Sequence, residues 1–377
     1  MIRRLLAVLM PLMLLAGCTG SAVPAANASD TAQDASPLQM ELKYAECFDV
    51  AYEPDGCALI TIADEGQFLF VPEGVTREDT DDVTVLRAPL TNIYLADSAA
   101  MDLFAKADAL SNVRLTSTKQ SDWSLSAIRE EMEAEHLLYA GKYSAPDYEL
   151  LLEEGTTLAI ENTMIRHSPE TKEKLESLWI PVMVTRASYE SHPLGRLEWI
   201  RLYGLLAGRQ EAADRFFEAQ EALFTSIPDA EDTARSVAFF YISPNGYVNI
   251  RRPADYVAKM ITLAGGRYVF SDLETPDGDM RSTMNMQQEV FYEGAREADI
   301  LIYNATIDGG MEELSELLAK GEWLGDFKAV REGNVWCTEM NLFQETSGVA
   351  GVIADLNTIV TKGADAEDRL TYLHRLR

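Results

Sequence analysis

The stretch SHPLGRLEWIRLYGLLAGRQEAADRFFEAQEALF occupies residues 191–224, in the middle of a 377-residue chain. Two helical patterns meet in it at Gly208. Pro193 suits a first helical position and Gly208 suits a stop. The second pattern puts Ala213, Phe216, Phe217, Leu223 and Phe224 on one face, an apolar stripe. From Arg209 to Phe224 such a helix spans about 24 Å. A helix of that length predicts a stiff spine between two larger bodies.

The flanks supply the bodies. Upstream, TNIYLA, VRLT, TTLAIEN and PVMVTR read as strands, and DSAAMDLFAKADAL, PDYELLLEEG and SPETKEKLESL as helices between them. Downstream, SVAFFYIS, ILIYN and NVWCT are strands. The helices are RPADYVAKMITLAGG, opened by Pro253, then QQEVFYEGAREAD, MEELSELLAKG and SGVAGVIADLNTIV. Strands alternating with helices predict parallel sheets with helices on both faces. The expected fold is therefore α/β: two three-layer α/β/α lobes with mainly parallel sheets, bridged by one long rigid helix, with a ligand cleft between the lobes. Residues 41–72 alternate with period two around EPDG and DEG and predict a small antiparallel meander on the first lobe. The expected divisions are an N-terminal lobe over 40–188, connecting helices over 189–226 and a C-terminal lobe over 235–377.

The chain has 32 Lys+Arg against 61 Asp+Glu, a formal net charge of −29, which argues against nucleic acid as a partner. Its beginning, MIRRLLAVLMPLMLLAGC, has a basic start and a short apolar run, the pattern of a signal peptide over 1–17. LLAGC resembles a bacterial lipobox, which makes Cys18 the expected lipidation site. The Ala/Ser/Pro/Asp-rich residues after it, 18–39, read as a tether. The expected location is extracytoplasmic, on the membrane. Cys47 and Cys57 flank EPDG and either form a cross-strand disulfide or stand as two half-buried thiols.

The chain resembles the bacterial periplasmic-binding-protein family of ABC importers for ferric siderophores, haem and cobalamin. The resemblance covers roughly residues 85 to 362. It rests on YAGKYSAPDYELLLEEGTTLAI, on SHPLGRLEWIRLYGLLAGRQEAADRFF, and on YISPNGYVNIRRPADYVAKMITLAGG followed by FYEGAREADILIYNATIDG. It implies two α/β lobes joined by a long helix, a ligand between them, and ABC permease and ATPase subunits as partners. It also implies that one acid on each lobe docks on the permease; Glu149 and Glu289 match those positions, with Glu293 a rival to the second. A monomer is expected.

In α/β sheets a ligand sits beyond the carboxyl ends of the strands. The residues there are Ser98, Trp123, Lys142, Tyr143, Asn162, Met164 and Arg166 in the first lobe. In the second they are Tyr241, Asn245, Tyr247, Arg251, Arg252, Arg281, Met284, Asn304, Met340 and Phe343. Aromatics offer flat walls to a chelate, and arginines pair with its negative charge. The resemblance places Trp123, Tyr143, Tyr241 and Phe343 at the family's pocket walls.

No GxSxG, HExxH, P-loop or GxGxxG occurs, which speaks against an enzyme. Four scattered histidines speak against a protein-built metal site. The expected ligand is a ferric siderophore or similar metal chelate, with no resident cofactor. Haem or a corrinoid is the nearest alternative; Tyr247, His167, Met284 or Met340 would then be candidate haem ligands. A bare zinc or manganese carrier and a non-transport surface sensor remain further alternatives.

Overall fold

The computed structural model describes residues 38–79, 82–229, 235–274 and 282–377. The first of its two large sheets has the order Val182–Thr185, Ala159–Asn162, Ile93–Leu95, Val113–Thr116, Leu138–Tyr139, parallel throughout. Parallel neighbours need crossovers, here chiefly the helices Ser98–Lys106, Ser126–Glu133, Tyr148–Glu153 and Pro169–Ser177. Helices cover both faces, so all four residues of Val182–Thr185 are buried. Asp97 and Asp147 cap two of these helices, accepting the Ala99 and Leu150 N–H groups.

The second sheet runs Thr283–Met286, Val248–Arg251, Ser236–Ile242, Ile300–Tyr303, Val335–Thr338, Leu373–Arg375. Ser236–Ile242, Ile300–Tyr303 and Val335–Thr338 are parallel, and Arg267–Tyr268 also pairs parallel with the start of Ser236–Ile242; the other pairings are antiparallel. The first sheet thus meets the expectation of parallel pairing fully, the second only at its centre. The short turn 243–247 leaves no room for a crossover and forces an antiparallel return. Pro253 does not open the next helix. Asp255 caps it by accepting the Val257 N–H at 2.9 Å, and the helix is Tyr256–Leu263.

The connector is the two helices expected on either side of Gly208, Pro193–Ala207 and Gln210–Thr225, packed on each other. Gly208 ends the first with φ 69°, a left-handed conformation that stops the helix. A Cβ at Gly204 would lie 2.6 Å from the Ala213 Cβ, so glycine there allows the close packing. The first helix is buried almost all round and touches Ser98–Lys106 from one half and Tyr256–Leu263 and Val349–Lys362 from the other. In the second helix Ala213 and Phe217 are buried as the stripe predicts, whereas Leu223 is 42% exposed.

The meander is a five-stranded sheet: Leu38–Gln39, Phe48–Tyr52, Ala58–Ile62, Gly66–Val71 and Thr84–Arg87. Its first four strands are antiparallel and its last is parallel to the fourth. It starts at Leu38, so residues 38–39 are strand and not tether. The Phe48 ring lies 4.8 Å from that of Trp199 on the first connecting helix. The register excludes the Cys47–Cys57 disulfide. Cys47 lies opposite Ala63 and Cys57 opposite Glu53, at the two ends of the hairpin. At ~3.3 Å per residue they are about 20 Å apart, beyond the reach of an S–S bond. Both are free thiols. Cys18 and Arg281 lie outside the described residues.

Candidate functional site: a cleft at the strand ends

A cavity of about 590 Å³ opens at the carboxyl edge of the first sheet. Three strand ends supply one wall: Asp97 and Ser98 after Ile93–Leu95, Asn162 to His167 after Ala159–Asn162, and Ala187 to Tyr189 after Val182–Thr185. Ser282 and Thr283, at the edge strand of the second sheet, supply the opposite wall, and Arg196 of the first connecting helix reaches in between. Parallel strands aim their ends at one edge, which is why residues distant in sequence converge.

The floor is electrically loaded. Asp97 is 6% exposed and accepts the Thr185 hydroxyl at 2.5 Å. Burial pushes its carboxyl above the ordinary range; the Thr185 hydrogen bond and the Arg196 charge oppose this. Glu161, one residue before the strand end, is 1% exposed, and burial and then the charge of Asp97 push it up to about 9. Its Oε1 meets no donor among the described residues. Arg196 is 8% exposed, with its guanidinium 3.8 Å over the Tyr256 ring. Its charge acts on Asp97 from one sheet and on Asp255 from the other.

The acidic hairpin tip reaches the same wall. Glu65 Oε1 lies 2.5 Å from Arg166 Nη2 and 3.8 Å from Arg186 Nη1, and Asp64 Oδ2 lies 3.3 Å from Arg186. Arg186 stacks over Tyr189 at 4.4 Å. The two halves also meet directly. The Gln344 side-chain oxygen accepts the Ser124 N–H at 2.7 Å and the Ser124 hydroxyl at 2.6 Å, and its amide donates to the Asp122 carbonyl at 2.8 Å.

Asn162 and Arg166 line the cleft as expected, together with Ser98, Met164 and His167. The other expected ligand residues do not line this cavity. Trp123 is 2% exposed, a core side chain and not a pocket wall. Lys142 and Tyr143 belong to the hairpin formed by Gly141–Lys142 and Ala145–Pro146, where Tyr143 packs on an apolar cluster. Tyr241 lies within a strand that runs on to Ile242, paired with Asn249, and Met284 pairs with Ile250. Arg251 stacks 4.7 Å over Phe343 and lies 3.7 Å from Asp255. Arg252 is 5% exposed and donates from Nε to the Thr283 carbonyl at 3.2 Å. Phe343 borders a separate void of about 20 Å³, room for about one water. Tyr247, Ile307 and Met340 stand exposed at the carboxyl edge of the second sheet, at 41%, 61% and 40%.

The sequence reading passed over Arg196, Arg186, Tyr189 and Asp97. Arg196 left one signal: a charge inside a helix that is apolar on nearly every side. Glu149 and Glu289 are both exposed, in the first turns of the helices Tyr148–Glu153 and Gln288–Ala295. Those helices feed the equivalent strands Ala159–Asn162 and Ile300–Tyr303. Among the described residues no group of three or more His, Cys, Asp or Glu side chains is placed to hold a metal ion. His192 caps the first connecting helix by accepting the Leu194 N–H at 3.1 Å.

No family model matches the chain. An uncharacterized lipoprotein of Methanocaldococcus jannaschii is 24% identical over 304 residues, covering 77% of this chain and 70% of that protein. Among solved structures, the periplasmic heme binding protein HutB of Vibrio cholerae aligns with a TM-score of 0.57 at 18% identity, over 70% of this chain and 97% of its own. A periplasmic heme binding protein from Pseudomonas aeruginosa gives 0.56 at 14% identity, over 76% and 97%. A protein of an ABC-type Fe3+-hydroxamate transport system from Saccharomonospora viridis gives 0.53 at 17%, over 70% and 92%. At these identities the likeness concerns the fold alone, a mixed α/β architecture with mostly parallel sheets. This chain has the fold of the periplasmic substrate-binding proteins.

Proposed function

We propose that this protein is the lipid-anchored, extracytoplasmic substrate-binding component of an ABC importer, capturing a ferric siderophore or similar metal chelate for a permease and its ATPase. The cleft carries the reading. Its volume of about 590 Å³ falls within the range of small-molecule sites. Met164, which lines the cleft, offers apolar surface. Binding, not bond-making, is the activity such a cleft supports. Haem or a corrinoid is the second reading, favoured by Met164, exposed on the cleft wall.

The test pairs affinity with uptake. The purified protein is titrated with a ferric trihydroxamate, a ferric tris-catecholate, haemin, cobalamin, Zn2+ and Mn2+, following fluorescence of the five tryptophans. At least one chelate is expected to bind with a Kd near or below about 1 μM, and the bare ions are not. Binding of a bare ion alone would overturn the reading. A Glu149→Arg, Glu289→Arg double variant is expected to keep that affinity and lose uptake in cells, because two arginines would face permease cations.

The anchor proposed is Cys18. Among the described residues no helix is long and apolar enough to cross a membrane. Cys18→Ala is expected to move the protein from the membrane to the soluble fraction; continued membrane fractionation would refute the anchor.

A further inference from the structure

We infer that Glu65 is a specificity-determining residue that makes the cleft select neutral chelates over anionic ones. This rests on the chelate-binding reading and goes beyond it to the charge of the ligand. Glu65 sits at the tip of the hairpin formed by Ala58–Ile62 and Gly66–Val71. Asp64 adopts φ 59° there, a left-handed conformation that aspartate tolerates. The turn thereby carries two successive acids to the cleft wall.

Glu65 is nearly enclosed, with 10% of its side chain exposed, and it holds Arg166 at 2.5 Å and Arg186 at 3.8 Å. Asp64 adds a second carboxylate to Arg186 at 3.3 Å. Arg166 lines the cleft, and so does Tyr189, on which Arg186 stacks. The two arginines form a ready anion site, and the protein's own carboxylates fill it. Among the described residues the other arginine lining the cleft, Arg196, lies under the influence of the buried Asp97 and Asp255.

Arg166 is half exposed and gives Glu65 only one of its N–H groups, so an incoming anion meets the arginine with the Glu65 and Asp64 carboxylates beside it, and their negative charge repels it. A neutral complex leaves the pairing intact. Ferric chelates of similar size divide on this property. Each hydroxamate carries one negative charge, so three of them neutralise Fe3+. Each catecholate carries two, so a tris-catecholate keeps a triple negative charge.

Wild-type protein and Glu65→Gln are each titrated with a ferric trihydroxamate and a ferric tris-catecholate. In parallel, Arg166 is labelled with phenylglyoxal and followed by mass spectrometry. Glu65→Gln is expected to raise tris-catecholate affinity about tenfold or more while trihydroxamate affinity stays within about threefold. Labelling of Arg166 is expected to speed up severalfold. Equal shifts for both chelates, or unchanged labelling, would overturn the inference while leaving the chelate reading in place. Failure of both chelates, with haemin and cobalamin also silent, would overturn the chelate reading and this inference with it.

Discussion

Glu198→Ala is expected to destabilise the fold by about 3–5 kcal/mol, the range for leaving a buried charge-assisted cluster half empty. Glu198 is fully buried on the first connecting helix. Its carboxylate accepts the backbone N–H of Lys43 at 2.9 and 3.1 Å, of Tyr44 at 2.8 Å and of Ala45 at 2.9 Å. Glu190 continues the row, accepting the N–H of Glu46 at 2.7 Å and of Cys47 at 3.1 Å, and the Trp199 indole N–H at 2.7 Å. Two carboxylates therefore hold five successive backbone N–H groups, and this segment ties the added five-stranded sheet to the connector. Alanine removes the acceptor and strands three donors. Glutamine restores one acceptor but turns an amide donor toward other donors, so a partial loss is expected. Urea unfolding measures the effect, and Tm should fall by roughly 10 °C. A loss under about 1 kcal/mol would show that water replaces the carboxylate and that the staple is dispensable. A loosened sheet would also withdraw Asp64 and Glu65 from the cleft wall.

Glu161→Gln is expected to act in the opposite direction. The Glu161 carboxyl has its pKa raised from 4.5 to about 9 by burial and then by the charge of Asp97. Below pH 4.5 the group is protonated in both folded and unfolded chains and contributes no pH dependence. Between pH 4.5 and about 9 the unfolded chain ionises and the folded one does not. Stability is therefore lost as pH rises through that window, with a limiting slope of ~1.4 kcal/mol per unit. Glutamine matches the shape and does not titrate. The variant should gain about 2–4 kcal/mol on wild type between pH 4 and pH 8, a value kept below the limiting slope because solvent relaxes around buried charge. Comparing urea midpoints of both proteins at the two pH values checks this. An equal difference at both would mean that Glu161 is ionised in the folded protein. An acid that costs stability right behind the cleft residues Asp97 and Asn162 is the kind of feature that function retains.

The sequence by itself determined what local rules govern. Strands and helices alternate because apolar periodicity switches between two and 3.6, and most elements fall where that switch puts them. Gly208 stops its helix because glycine readily takes φ 69°. Asn162, Met164 and Arg166 were legible as cleft residues because the strand before them is short and its end is marked. The tertiary structure alone decided what depends on partners far along the chain. Arg166 meets Glu65 across 101 residues, and Lys43 meets Glu198 across 155. No periodicity encodes such pairs. Nor does it show that Trp123 turns into the core, that Arg251 stacks on Phe343, or that one edge of the second sheet returns antiparallel. Strand ends mark where a cleft opens, but which side chains face it depends on the packing of both sheets and the connector. The hairpin tip DEG illustrates the limit: its turn was readable from residue type, its role at the cleft only from the two arginines it reaches.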